Sequence, residues 1–435
     1  MAGRTQGERD GGAAEPSGRR GGLGCLLTAV GLLLALVAGI GWAFLEPMGY
    51  WPGSSMTTAW TARSDTDGTP PKNAPDRTWL IGDTVVRGGP DGVRAFRAGS
   101  GAERWQYAPP RLTDLCALSP TVDGSVALVA RTGRDGGCAT VAALDLENGR
   151  ELWHTSRVPA LRTPSERDIF GLRPDGPGVG VGGALTVAGG LGVVLEEGRG
   201  APALRALELR TGAARWTAAV PKGCVPGVSA AGPKQIVTVL TCRDEMKVAA
   251  FDPADGSARW AVPLDARRGV PTGSIVTVVS AEPIVLRIDA RDLLVFGPDG
   301  TPGPRIEPVG PPHRLDGGDV AVSDGRVFNL TSGGRWGRVV AHDLASGDKL
   351  WEEDLGGAAY TLGGLHAEAG RVMALKTSAR SGDVLYTLDA ATGDEEERVF
   401  RDLEAPAREV LPYGELLIAV HPGGGTLSLS AYEPW

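Results

Sequence analysis

The chain has 435 residues, 42% of them apolar, with 44 basic against 52 acidic side chains and a formal net charge of −8. That apolar share is enough for a folded core and excludes a wholly unstructured chain. The acidic balance, with no basic stripe, excludes nucleic acid as a partner.

Residues 1–20 are rich in Gly and Arg and poor in aliphatic side chains, as expected of a disordered cytoplasmic tail. Residues 21–45 carry no charge, and 25 residues at a helical rise of about 1.5 Å exceed the hydrocarbon thickness of a bilayer, which predicts one N-terminal transmembrane helix. Arg19 and Arg20 precede this run and Glu46 follows it, so the positive-inside rule leaves the N-terminus in the cytoplasm and the rest of the chain outside. The run is longer than a typical signal-peptide core, which favours an uncleaved anchor over a cleaved signal, although small residues near Gly41 to Ala43 fit the latter. Cys25 precedes its apolar run and so does not read as a lipoprotein cysteine. Residues 46–55 read as a linker.

From there the chain repeats itself. The copies AFRAGSGAERW (Ala95 to Trp105), ALDLENGRELW (Ala143 to Trp153), ALELRTGAARW (Ala206 to Trp216), AFDPADGSARW (Ala250 to Trp260), AHDLASGDKLW (Ala341 to Trp351) and the weaker TLDAATGDEEE (Thr387 to Glu397) each read as strand, tight turn, strand. A glycine ends each turn because that position favours positive φ. The glycines fall at 101, 149, 212, 256, 300, 347 and 393, in steps of 44 to 48 residues except for one of 63, which marks an insertion. Two more strand-like runs precede each copy, as in ALSPTVDGSVALVA (Ala117 to Ala130) and VAVSDGRVFNL (Val320 to Leu330). Four strands per unit make the blade of a β-propeller.

The two ends of the chain set the blade number. LSLSAYEPW (Leu427 to Trp435) reads as the third strand of a blade, and MTTAWTA (Met56 to Ala62) reads as a fourth, with Trp60 lying 45 residues before Trp105. The N-terminal strand therefore completes the last blade, leaving no open sheet edge at the closure. The expected fold is all-β, an eight-bladed propeller over residues 56–435. Trp60, Trp105, Trp153, Trp216, Trp260 and Trp351 are read as packing anchors between blades.

These units resemble the PQQ-binding-like propeller repeats, in which an A-L-D strand, a T-G turn and the following tryptophan dock neighbouring blades. The resemblance covers residues 54 to 435. That family includes quinoprotein alcohol dehydrogenases and the BamB-type outer-membrane assembly lipoprotein, both eight-bladed, and the length of this chain favours the second kind. The dehydrogenases carry an adjacent Cys-Cys disulfide beside the cofactor, whereas the closest cysteines here are 18 apart, and no motif matches their calcium site or catalytic Asp. PQQ thus enters by family resemblance alone, and no cofactor, metal or catalytic residue is assigned.

Cys116, Cys138, Cys224 and Cys242 form an even set suited to an oxidising compartment. The first of each pair lies 37 or 36 residues before its blade tryptophan and the second 15 or 18, which predicts the bridges Cys116–Cys138 and Cys224–Cys242. Free buried thiols and zinc are the alternatives, and no CxxC spacing supports zinc. The turn aspartates Asp145, Asp252, Asp343 and Asp389 invite calcium, but a calcium loop needs several oxygen ligands within a dozen residues, and a turn role is favoured. Gly178 to Gly183 satisfies GxGxxG without the strand and helix that dinucleotide binding requires. The five histidines, including His342 at a core position of its repeat, are never paired at metal spacing.

The insertion contains Arg157, Arg162, Arg167, Phe170 and Arg173, a candidate partner-binding loop set against the plainer reading of a tolerated insertion. Only six of the 44 basic residues are lysine, a bias that fits a high-GC bacterium. Taken together, the sequence predicts a single-pass, membrane-anchored, extracytoplasmic propeller, monomeric, acting as a non-catalytic protein-binding or scaffolding module of the cell envelope. A PQQ-dependent oxidoreductase and a small-ligand sensor are the alternatives.

Overall fold

The computed structural model describes residues 30–37, 39–40, 56–63 and 76–434, the last without 111–112, 135–136, 157–183, 197–201, 244, 265–269, 271–273, 275, 290–291, 308–318, 334–335, 356–360, 378–382, 402–406, 408 and 422–428. The chain divides into two compact units, Met1–Trp51 and Pro52–Trp435. In the first, residues 30–37 and 39–40 are helical, with Leu32, Leu33, Leu34 and Leu36 more than half exposed. Among the described residues no helix is long and apolar enough to cross a membrane, so the span expected at 21–45 is not supported by the structure. Most of that span lies outside the described residues, as do the expected tail at 1–20 and linker at 46–55.

The second unit holds eight four-stranded antiparallel sheets, one per blade. Blade 1 comprises Arg77–Ile81, Thr84–Gly89, Gly92–Arg97 and Glu103–Tyr107, and blade 2 Leu115–Leu118, Val126–Thr132, Cys138–Asp145 and Arg150–Thr155. Blade 3 comprises Leu185–Ala188, Leu191–Glu196, Ala203–Glu208 and Ala214–Ala219, and blade 4 Cys224–Ala231, Ile236–Cys242, Met246–Phe251 and Ala258–Pro263. Blade 5 comprises Val276–Ala281, Ile284–Ile288, Asp292–Phe296 and Pro302–Ile306, and blade 6 Val320–Ser323, Arg326–Gly333, Trp336–Asp343 and Lys349–Asp354. Blade 7 comprises Thr361–Glu368, Arg371–Thr377, Asp383–Asp389 and Glu395–Arg401.

Blade 8 takes Glu409–Tyr413, Leu416–Val420 and Leu429–Pro434 from one end of the chain and Met56–Ala62 from the other. Thr61 pairs with Ser430 and Ala62 with Leu429, so the N-terminal strand closes the ring as its pattern predicts. The apolar residues of the second and third strands alternate between the two neighbouring blades. Val86 packs towards Leu115 and Leu118 of blade 2, and Val85 towards Ile418 and Val420 of blade 8.

The tryptophans stand on the fourth, outermost strands and meet the third-to-fourth turn of the next blade. A β-carbon built on Gly101 would lie 2.6 Å from the Trp60 ring, and one on Gly256 would lie 2.4 Å from the Trp216 ring. The same relation joins Trp105 to Gly149, Trp153 to Gly212, Trp260 to Gly300 and Trp351 to Gly393. These turn glycines have φ between 67° and 84°, so glycine is required both for the backbone and for the ring lying on it. Five of the indoles also donate Nε1–H to a carbonyl of that turn, as Trp60 does to Ala98 at 2.9 Å and Trp153 to Leu209 at 2.8 Å. Trp105 Nε1 is buried without such a partner.

Two junctions depart from the pattern. In blade 5 Pro304 takes the place of the indole and lies against Gly347. In blade 7 Glu397 holds the tryptophan register, opposite Thr387. Its neighbour, blade 8, has no third-to-fourth turn to receive a ring, because those two strands come from distant parts of the sequence.

Candidate functional site

The two ends of the propeller are built differently. At one end, the first and second strands of six blades are joined by two residues, for example Asp324-Gly325 and Ala369-Gly370, and the glycine turns described above lie at the same end. At the other end emerge every second-to-third connection and every connection between blades. The longest of these, residues 156–184, joins blades 2 and 3. The predicted partner loop with Arg157, Arg162, Arg167, Phe170 and Arg173 belongs to it and lies outside the described residues, as does the GxGxxG segment. The loop end is the candidate functional face, since connections carried on a rigid scaffold are where propellers vary most freely.

Both disulfides brace this end. Cys116–Cys138 and Cys224–Cys242 are formed, with sequence separations of 22 and 18. Both bridges lie within one blade, as expected, but they do not occupy the equivalent positions that the spacing to the tryptophans implied. Cys224 and Cys242 face each other across the first and second strands of blade 4, whereas Cys116 and Cys138 join the first and third strands of blade 2. The difference is that Cys242 ends the second strand of blade 4, before the second-to-third connection, whereas Cys138 opens the third strand of blade 2, after it.

Beneath the loop end, polar side chains recur at one register of the second strands: Arg131, Glu196, Thr331, Lys376 and His421 are all buried. Arg131 reaches towards blade 1 and donates to the Tyr107 hydroxyl at 3.2 Å and to Glu151 at 3.0 Å, while Tyr107 donates to Glu151 at 2.7 Å. His154 Nδ1 lies 2.6 Å from the other oxygen of Glu151. Burial, and then the hydrogen bond to Glu151, push the Tyr107 phenol up to about 12. Glu196 is paired with Arg205 at 2.7 Å, yet burial raises its carboxyl above the ordinary range against that pairing.

Lys376 donates to the Leu355 carbonyl of blade 6 at 3.0 Å and stands over the Tyr386 ring. His421 shares a 3.0 Å hydrogen bond with Ser430. Arg87 pairs with Asp76 and reaches the His421 carbonyl, tying blade 1 to blade 8. Arg287 forms a two-pronged pair with Asp319 at 2.6 and 3.0 Å, with both side chains at least 96% buried.

The turn aspartates act on their own backbones. Asp252 accepts from Ala254 N, and Asp343 and Asp389 each accept from two amides of their turns, which holds these carboxyls below the usual range; for Asp252 the Arg259 guanidinium contributes most. Among the described residues no group of three His, Cys, Asp or Glu could hold a metal ion. Asn329, the first residue of the N-x-T tripeptide Asn329-Leu330-Thr331, is buried in blade 6.

A tricarboxylate quinone such as PQQ needs cations that can meet its carboxylates. The buried cations near the loop end do not fit it: Arg87, Arg131 and Arg287 each face a protein carboxylate, and Lys376 a backbone carbonyl. Sequence reasoning missed these groups, although charges within apolar strand runs such as ALVART, IVLRI and VMALKT were a visible signal.

Over residues 57–171, 92–297 and 301–432 the chain matches the family model described as outer membrane protein assembly factor BamB. No curated protein matches it. Among solved structures it is similar to BamB from Moraxella catarrhalis, at 16% identity over 87% of this chain and 97% of that one, with a TM-score of 0.51. It is also similar to the quinohemoprotein alcohol dehydrogenase from Comamonas testosteroni, at 12% identity over 87% of this chain and 76% of that one, with a TM-score of 0.55. At these identities the likeness is one of fold.

Proposed function

The chain belongs to the family of outer membrane protein assembly factor BamB, and from that membership we propose that it is a non-catalytic protein-binding module of the bacterial cell envelope. The module is extracytoplasmic, held to the cell membrane by its N-terminal apolar segment, and binds its partner through the loop end of the propeller. The observation that carries this reading is the asymmetry of the ring: one end is closed by two-residue turns in six blades and by docked indoles, while the other carries the longest connection, residues 156–184, and both disulfides. The pairing of four cysteines supports an oxidising compartment. Gly21 to Leu45, free of charge and preceded by Arg19-Arg20, supports the anchor and its orientation.

A quinone-dependent dehydrogenase is the alternative, since the same fold is shared with a quinohemoprotein enzyme. The two are separated by adding PQQ and calcium to the purified full chain and assaying dye-linked oxidation of alcohols and sugars. The binding module gives no turnover and no quinone absorbance after gel filtration; turnover would transfer the protein to the enzyme class. Protease accessibility in intact spheroplasts tests the placement. An extracytoplasmic propeller is cut from outside, and a fully protected one contradicts it.

A further inference from the structure

The junction between blades 5 and 6 breaks the repeat at several registers at once. Pro304 replaces the indole against the next blade's glycine turn. Arg287 occupies a second-strand register that is otherwise apolar or glycine, from Gly88 and Ala130 to Leu375 and Val420. His342 occupies a third-strand register that is Phe96, Leu144, Phe251 or Leu388 in other blades.

All of this faces one seam. Phe328 and Leu330 of blade 6 pack on blade 7, so Val327, Asn329 and Thr331, which alternate with them, face blade 5. Ala341 packs on blade 7, so His342 beside it also turns to blade 5. Asn329 Nδ2, Thr331 Oγ1 and His342 Nδ1 are buried there without hydrogen-bond partners. Burial holds the His342 imidazole below its usual range. The apolar seal that remains is Val285, Leu293, Val295, Ile306, Val327 and Leu344.

Parting two blades at a tryptophan junction exposes a large ring and breaks its hydrogen bond to the neighbouring turn. Parting them here exposes no indole, rehydrates two buried ions whose desolvation opposed their pairing, and supplies water to three unpaired polar atoms. Opening is therefore easier at this junction than at its neighbours.

We propose that the blade 5–blade 6 junction is the opening seam of the ring, where the Arg287–Asp319 pair serves as a latch in place of the aromatic wedge. Blades then part along this seam while each four-stranded sheet stays intact. The blade 7–blade 8 junction also lacks an indole, but it is sealed by Leu375, Leu385, Val410, Leu417, Ala419 and Tyr432, and among the described residues no buried side-chain polar atom of these two blades lacks a hydrogen-bond partner, so it stays shut.

Native-state thiol labelling tests this on the full chain in a Cys25→Ser background. Single reporters are placed on equivalent inward faces: Val327→Cys at the 5–6 junction, Val129→Cys at 1–2 and Ala419→Cys at 7–8. The expected labelling rate at Val327→Cys is at least about tenfold above the other two, and adding Pro304→Trp slows it towards theirs. Equal rates at all three positions, or fastest labelling at Ala419→Cys, overturn the proposal. Should Val327→Cys not fold, Val285→Cys reports the same seam from blade 5, with the same two readings.

Discussion

The ring of Trp60 lies on Gly101, so closely that a β-carbon at position 101 would sit 2.6 Å from it. Trp60 belongs to the N-terminal strand and Gly101 to blade 1, so this contact helps lock the strand that closes the ring. Gly101→Ala is expected to lose about 2 to 4 kcal/mol, combining the left-handed backbone penalty with displacement of the indole. Gly82→Ala provides the control, because Gly82 also has positive φ but no atom within 4 Å of its built β-carbon. It should lose only the backbone share of about 1 to 2 kcal/mol. Equal losses in urea unfolding would show that the indole contact contributes nothing.

The Arg287–Asp319 pair predicts a non-additive cycle. Asp319→Ala leaves a buried guanidinium without its carboxylate and should destabilise by about 3 to 5 kcal/mol. Replacing both residues, as Arg287→Met with Asp319→Leu, should recover most of that loss. Additive losses in denaturant titrations would contradict the pairing.

Tyr107 gives an alkaline signature. Its folded pKa of about 12 lies above the ordinary 10, so the fold binds the phenolic proton more tightly than the unfolded chain does. The stability this contributes is complete below pH 10 and is lost as pH rises from 10 through about 12. Tyr107→Phe should remove this part of the alkaline slope. Parallel stability curves for the two proteins between pH 9 and 12 would refute it.

Each disulfide closes a loop of about twenty residues. Cys224→Ser with Cys242→Ser, or the corresponding change at Cys116 and Cys138, should lower stability by about 2 to 4 kcal/mol. Mass spectrometry of non-reduced peptides should show these two linkages, and any crossed linkage between blades 2 and 4 would contradict the fold.

The repeat was legible because a β-blade writes itself locally: alternation, a turn glycine and a bulky ring recur at fixed offsets, and even the split blade kept the ring, as Trp60 in Met56–Ala62. The reason for the lost tryptophan at Glu397 was not legible, since it depends on the absence of a turn in blade 8, the next blade round the ring. The unequal disulfides escaped for a similar reason. Spacing to Trp153 and Trp260 counts residues along the chain, whereas the pairing depends on which side of the second-to-third connection the second cysteine falls, Cys242 before it and Cys138 after it. Arg131, Arg287 and Lys376 were visible as charges in apolar strands, but their partners Glu151, Asp319 and Leu355 lie on other strands or blades.

The binding role is tested most directly by site-specific photo-crosslinking in intact cells. Probes at Arg134, Lys222 and Arg243 report the loop end, and probes at Asp255 and Ser346 report the turn end; all five positions are exposed. Discrete adducts to an envelope protein from the loop-end probes, with none from the turn end, are the predicted result. No adduct from the loop end, or the same adducts from both ends, would contradict a partner-binding loop face.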